Sequence, residues 1–280
     1  MKNEDKGLKD LLSFERFLIE GEKSCATVKK YIHDVKCFLE YISDKEVTKQ
    51  TVLNYKTELL QKYAVSSANS MIASFNSFLK FSGRGELCVK QFRVQQEAFC
   101  SEEKELSRAE YTRLLNAARK NKNERLDLLI QTVCATGIRI SELEFITVEA
   151  VKAGEANVSC KGKIRRIFIL PKLKKKLMKY IRERKIKSGA VFVTSKGNPM
   201  NRSNIWREMK KLCADANVPE GKVFPHNLRH LFARTFYGIE KDMAKLADIL
   251  GHASIDTTRI YIVSSGFEHR QKMEHMNLII

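Results

Sequence analysis

The stretch ANVSCKGKIRRIFIL (156–170) is where the chain changes period. Its apolar residues fall in two short β-branched or aromatic runs, Asn157 to Cys160 and Arg165 to Leu170, on either side of Lys161-Gly162-Lys163. Such runs around a glycine-containing turn read as a β-hairpin, here with a basic tip. Val191-Phe192-Val193 is a candidate third strand. Outward from this segment the spacing is helical, so the fold class is mainly α with a small antiparallel β-sheet.

Upstream, Val28, Tyr31, Ile32, Val35, Phe38, Leu39 and Ile42 form one stripe of an amphipathic helix. Similar stripes run through Leu8 to Ile19, Val52 to Leu60 and Met71 to Leu79, which predicts a four-helix N-terminal bundle. Ser82-Gly83-Arg84-Gly85 breaks the last helix, and Gln95 to Lys104 is the best linker. Residues 1–102 and 103–280 are therefore expected to be separate domains. The second opens on Ser107-Arg-Ala-Glu110, a capping-box pattern. A helix from Leu126 to Thr136 stops at Gly137, and helical stripes resume with Ile205, Trp206, Met209, Leu212 and Cys213, then Leu228, Leu231, Phe232 and Phe236.

The 280 residues carry 51 Lys+Arg against 33 Asp+Glu, a net charge of +18. Residues 1–100 hold 16 of the bases and 13 of the acids, so the excess belongs to the second domain. Between Lys161 and Lys187 there are 13 basic side chains and one acid, Glu183, an electrostatic footprint for a polyanion. Apolar residues at 43% and only 4 Pro exclude a disordered chain. No run long enough to span a bilayer and no signal-peptide h-region exist, so a cytoplasmic protein without a membrane partner is expected. The seven cysteines are scattered without zinc spacing and read as reduced thiols.

Several polar residues in the basic domain are not explained by packing. Arg139 follows a helix-ending glycine. His226 and Arg229 share a helix face at i, i+3, just after Pro225. His252 follows Gly251 at another helix end, and Tyr261 lies nine residues further on. Each alone has an ordinary reading: an ion-paired arginine, a capping histidine, a core tyrosine. His226 and His230 are an i, i+4 pair, but no HExxH glutamate or carboxylate cluster accompanies them, so no metal site is expected.

Together, ATGIRISEL (135–143), CKGK (160–163), HNLRH (226–230), LGH (250–252) and the later tyrosine resemble, in order and spacing, the tyrosine recombinases, the phage-integrase and Xer-type enzymes. The resemblance runs from about residue 105 to 265. It implies a helical core-binding domain followed by a catalytic domain. It also implies catalytic roles for Arg139, Lys161, His226, Arg229, His252 and the nucleophile Tyr261, with Glu142 supporting Arg139. Lys163 competes with Lys161 for the hairpin role, and Lys161 is assigned because it precedes the glycine.

The implied activity is site-specific recombination: cleavage and rejoining of DNA strands through a covalent 3′-phosphotyrosyl intermediate, without metal, ATP or any other cofactor. Double-stranded DNA is the expected partner, with Lys163, Arg165, Arg166, Lys174, Arg202 and Arg207 on its phosphates. An apolar end, Leu278-Ile279-Ile280, suggests docking onto a neighbouring subunit to give a homotetramer, with accessory DNA-bending proteins as further partners. The rival readings are a relaxing type IB topoisomerase and a non-catalytic DNA-binding accessory protein.

Overall fold

A computed structural model of the chain describes residues 2–42, 45–93, 105–160, 163–252, 254–262 and 274–275. It divides into two compact units, Met1–Gln96 and Glu97–Ile280. The expected domain boundary and the apolar C-terminal end lie outside the described residues.

The first unit consists of α1 (Lys2–Glu20), α2 (Cys25–Tyr41), α3 (Lys49–Lys62) and α4 (Val65–Phe81). Ser24 and Thr48 begin α2 and α3 by accepting the amides of Thr27 and Thr51 on their side-chain oxygens, both at 3.2 Å. The apolar stripes meet at Phe38 and Phe75, whose stacked rings are 5.0 Å apart, with Tyr55 beside them. Each fully buried aromatic contributes roughly 1.5–3 kcal/mol. Among the described residues, Asp34 carries a charge into this core, where it accepts from Ser74 Oγ at 2.7 Å and from the Lys30 ammonium.

The second unit opens with α5 (Arg108–Lys120) and α6 (Glu124–Thr136). The capping box is complete: Ser107 N donates to Glu110 Oε2 at 2.7 Å, and Glu110 N donates to Ser107 Oγ at 3.1 Å. A 3-10 turn over Ile140–Phe145 and α7 (Val148–Ala153) lead into the hairpin. Its strands, β1 (Glu155–Cys160) and β2 (Lys163–Phe168), pair antiparallel with Cys160 opposite Lys163 and Val158 opposite Arg165. The expected third strand does not join this sheet. Ala190 and Val193 make only isolated bridges, to Thr147 and Pro199, and among the described residues the sheet has two strands.

Next come α8 (Pro171–Glu183), α9 (Arg202–Lys211), α10 (Cys213–Ala216), α11 (Pro225–Glu240), α12 (Met243–Leu250) and α13 (Ile255–Ile262). Ile205, Met209, Leu212 and Cys213 are buried as the stripe predicts, whereas Trp206 is 48% exposed. The main core gathers on α6 and α11 through Leu129, Ile130, Val133 and Leu228. A smaller cluster of Ala233, Leu246, Leu250 and Tyr261 joins α11, α12 and α13. The cysteines whose side chains are described, at 25, 37, 88, 134 and 213, are free thiols. Among the described residues no helix is long and apolar enough to cross a membrane.

Candidate active site

Three helix ends build the site. Helix α6 stops at Gly137, which has φ +63°. A Cβ there would lie 2.5 Å from Phe232 Cδ1, so close packing as well as backbone conformation requires glycine. The turn aims Arg139 into the site and leaves the Gly137 carbonyl free of the helix.

Arg229, one turn into α11, takes that carbonyl. Its side chain is among the most buried in the protein, at 1% exposure. Nη1 donates to Gly137 O, and Nη2 donates to Leu250 O at 2.6 Å. Nη2 also lies 3.0 Å from His252 Nε2. Burial, reinforced by the charge of Arg139, pushes the Arg229 guanidinium down to about 10, so it remains a cation at neutral pH. One cation thus ties the end of α6 to the end of α12.

The end of α12 presents His252. Gly251, with φ +64°, turns the chain, and His252 Nδ1 lies 2.8 Å from Thr258 Oγ1 on α13. Burial, then Arg229, Arg139 and Arg165, push this imidazole down to about 4, so it is neutral. Helix α13 also carries Tyr261, which is 5% exposed. Its Oη is 3.2 Å from His226 Nε2, and its ring lies 4.3 Å from that of His230 and 5.2 Å from that of His252. The Arg229 guanidinium is 6.0 Å from the tyrosine ring centre. His226 is partly exposed, and the buried part of its ring, then the charges of Arg229, Arg202 and Arg139, lower its pKa.

Arg139 is held from behind. Its backbone amide donates to Glu142 Oε2 at 2.9 Å, Nη1 donates to Oε1 at 2.8 Å, and Nη2 reaches Gly251 O at 3.2 Å. Its side chain is still 32% exposed, while that of Glu142 is 2% exposed. Burial alone would raise the Glu142 carboxyl, but the Arg139 hydrogen bonds and the Arg165 charge outweigh it and hold the group below the usual carboxylate range.

The structure therefore brings together Arg139, Glu142, His226, Arg229, His252 and Tyr261. Lys161 and the Lys163 side chain lie outside the described residues. Of the residues expected on DNA phosphates, Arg166, Arg202 and Arg207 are exposed. Lys174 donates to Lys152 O at 2.5 Å. Arg165 departs furthest from the expectation. It points inward, 12% exposed, with Nη2 on Glu142 Oε2 and Nη1 on Ile249 O at 2.6 Å.

Two residues not assigned from the sequence also line the site. His230 underlies the Tyr261 ring and Thr258 meets His252. Position was the available signal: His230 is one turn from His226, and Thr258 is three residues before Tyr261. Among the described residues, the guanidinium groups of Arg139 and Arg229, three imidazoles and a phenol converge with no carboxylate other than the buried Glu142, which suits an anionic phosphodiester.

The phage integrase family model matches residues 104–266. The chain is 28% identical to tyrosine recombinase XerD of Halalkalibacterium halodurans over 288 residues, covering 93% of this chain and 94% of that protein. It is also 28% identical to tyrosine recombinase XerA of Pyrococcus furiosus, over 96% and 94% of the two chains. A crystal structure of XerA recombinase superposes with a TM-score of 0.55 at 25% identity, over 98% of this chain and 100% of that one. A lambda integrase dimer bound to a COC′ core site shares the fold, with a TM-score of 0.73 at 15% identity over 91% and 94%. The matched family model, the full-length relatives and the convergent site agree that the chain belongs to the phage integrase family, as a tyrosine recombinase that breaks and rejoins DNA in site-specific recombination.

Proposed function

We propose that Tyr261 is the nucleophile of this recombinase and that it forms a 3′-phosphotyrosyl bond. The observation that carries the reading is the 3.2 Å approach of Tyr261 Oη to His226 Nε2 beside the buried Arg229 cation. Tyr261 Oη attacks phosphorus and gives its proton to His226 as the P–O5′ bond breaks. The departing 5′ oxygen takes a proton from Lys161, the assignment that the hairpin motif supports. Attack by a 5′ hydroxyl on the phosphotyrosyl bond then reseals a strand and releases Tyr261. One phosphoester replaces another, so no nucleotide energy is required.

Negative charge grows on the non-bridging oxygens during attack. Arg139 and Arg229 supply preformed donors for it, with His252 accepting from Arg229 and holding that guanidinium in place, and removing one such donor typically costs 10²–10³ in rate. Glu142 orients Arg139 without neutralising the whole site, because Arg165 shares its carboxylate. We read residues 1–102 as a helical DNA-binding domain and residues 103–280 as the catalytic domain, acting on double-stranded DNA in the cytoplasm. Solved relatives include XerH bound to difH substrate and a lambda integrase tetramer bound to a Holliday junction, which supports a tetrameric assembly here. Accessory DNA-bending proteins complete the proposed partners. The test is a nicked suicide duplex carrying a site selected from random-sequence DNA. Wild type should yield a denaturant-resistant adduct and Tyr261→Phe none; an equal adduct from the variant refutes the nucleophile.

A further inference from the structure

Arg165 is a strand residue whose side chain does the opposite of what its neighbours do. Side chains alternate along β2. Ile164, Arg166 and Phe168 face outward, with Ile164 76% and Phe168 65% exposed, while Ile167 and Arg165 face the interior. The guanidinium divides between two acceptors that belong to separate parts of the site: the carboxylate of Glu142 and the Ile249 carbonyl at the end of α12. Its stem also occupies the space beside Gly251, where a Cβ would lie 2.5 Å from Arg165 Cδ and 2.9 Å from Nε. Gly251 in turn gives its carbonyl to Arg139 and precedes His252. Leu250, just before it, gives its carbonyl to Arg229.

We propose that Arg165 is a positioning residue for strand cleavage rather than a DNA contact: it joins the hairpin strand to Glu142 and to the Leu250–Gly251–His252 turn. Through Glu142 it sets the angle of Arg139. Through Ile249 it holds the turn that presents His252 and the acceptor for Arg229. The absence of a side chain at Gly251 is the complementary half of this joint. Because Arg165 is the third residue of β2, the joint also links the start of that strand to the arginines. The inference rests on the recombinase reading, since cleavage is the step it describes.

The test uses the full chain and the selected-site nicked duplex, measuring binding, its salt dependence and single-turnover adduct formation. Arg165→Ala is expected to bind DNA within about twofold of wild type with an unchanged salt slope, while the bound complex cleaves roughly 100-fold more slowly, the scale of a small misplacement of reacting groups. Added methylguanidinium should restore part of the rate, and Arg165→Lys, which keeps the charge and one acceptor, should cleave at an intermediate rate. Gly251→Ala should slow cleavage strongly in wild type and much less in Arg165→Ala, because the space is then free; strain from the left-handed backbone is common to both backgrounds and cancels. Weaker binding with a salt slope reduced by about one phosphate contact, and normal cleavage once bound, overturns the proposal in favour of a DNA contact. Loss of cleavage that neither methylguanidinium nor lysine relieves, with additive Gly251→Ala effects, overturns it in favour of a general folding role. Absence of an adduct from wild type itself refutes the recombinase reading and this proposal with it.

Discussion

His252 Nε2 lies 3.0 Å from Arg229 Nη2, and a guanidinium nitrogen can only donate. The imidazole therefore accepts on Nε2 and carries its proton on Nδ1, which donates to Thr258 Oγ1 at 2.8 Å. Arg229 thus fixes the tautomer of His252, and one hydroxyl on α13 takes up the remaining N–H. Thr258→Val should leave that buried N–H unpaired and slow single-turnover cleavage about tenfold, matching the ~1–1.5 kcal/mol of a lost hydrogen bond. Thr258→Ser should retain the wild-type rate. Equal rates for the valine and serine variants would separate Thr258 from the orientation of His252.

Arg229 has a second measurable consequence, on folding. Its guanidinium satisfies the Gly137 carbonyl and the Leu250 carbonyl at two helix ends. Arg229→Ala should abolish cleavage and also destabilise the second unit by about 2–4 kcal/mol in urea unfolding, because both acceptors lose their donor in a buried setting. Tyr261→Phe removes a reacting atom without orphaning these carbonyls, so its unfolding midpoint should stay near that of wild type.

The histidines predict how stability depends on pH. Burial first, then His226 and Arg229, push His230 down to about 4, and His252 reaches a similar value. Their unfolded value is about 6.5, so at intermediate pH the unfolded chain binds more protons than the folded one. Stability should therefore fall as pH drops from about 6.5 toward 4, with no contribution from these groups above that window. After discounting for solvent access, His230 should account for on the order of 1–3 kcal/mol of the loss. Glu142 adds a separate loss at lower pH, as the solution falls through its depressed folded value. Urea midpoints measured between pH 4 and 8 check this, and His230→Phe should flatten the curve; a parallel curve would assign the slope to other groups.

Gly137 tests the packing that delivers Arg139. With φ +63° and a Cβ position 2.5 Å from Phe232 Cδ1, Gly137→Ala combines left-handed strain with a steric conflict. A loss of about 2–4 kcal/mol in unfolding free energy is expected. Adding Phe232→Leu should recover the steric part and leave the ~1–2 kcal/mol backbone part. No recovery would mean that the phenyl ring already moves aside.

Much of this architecture is legible in the sequence because it is local. The stripes of α1 to α4 and the Ser107–Glu110 capping box depend on residues a few positions apart, and the hairpin depends on a change of period. The third strand fails for the same reason: Val191-Phe192-Val193 has strand composition, but whether it joins a sheet depends on a partner that β1 and β2 do not provide. The convergence of Arg139, Arg229, His252 and Tyr261 is legible only through the order of motifs, since Arg139 meets Gly251 across 112 positions. The direction of Arg165 is not legible at all. On β2 the apolar Ile164 and Phe168 face outward and the arginine faces inward, reversing what hydrophobicity suggests, because its acceptors on Glu142 and Ile249 come from distant elements.

Mass spectrometry of the trapped protein–DNA adduct after trypsin and nuclease digestion identifies the nucleophile directly. With Tyr261 as nucleophile, the peptide from Ile260 to Arg270 carries the residual nucleotide, attached to the Tyr261 oxygen through a 3′ phosphate, with a free 5′ hydroxyl on the released strand. A nucleotide on any other residue, or attachment through a 5′ phosphate, would contradict it.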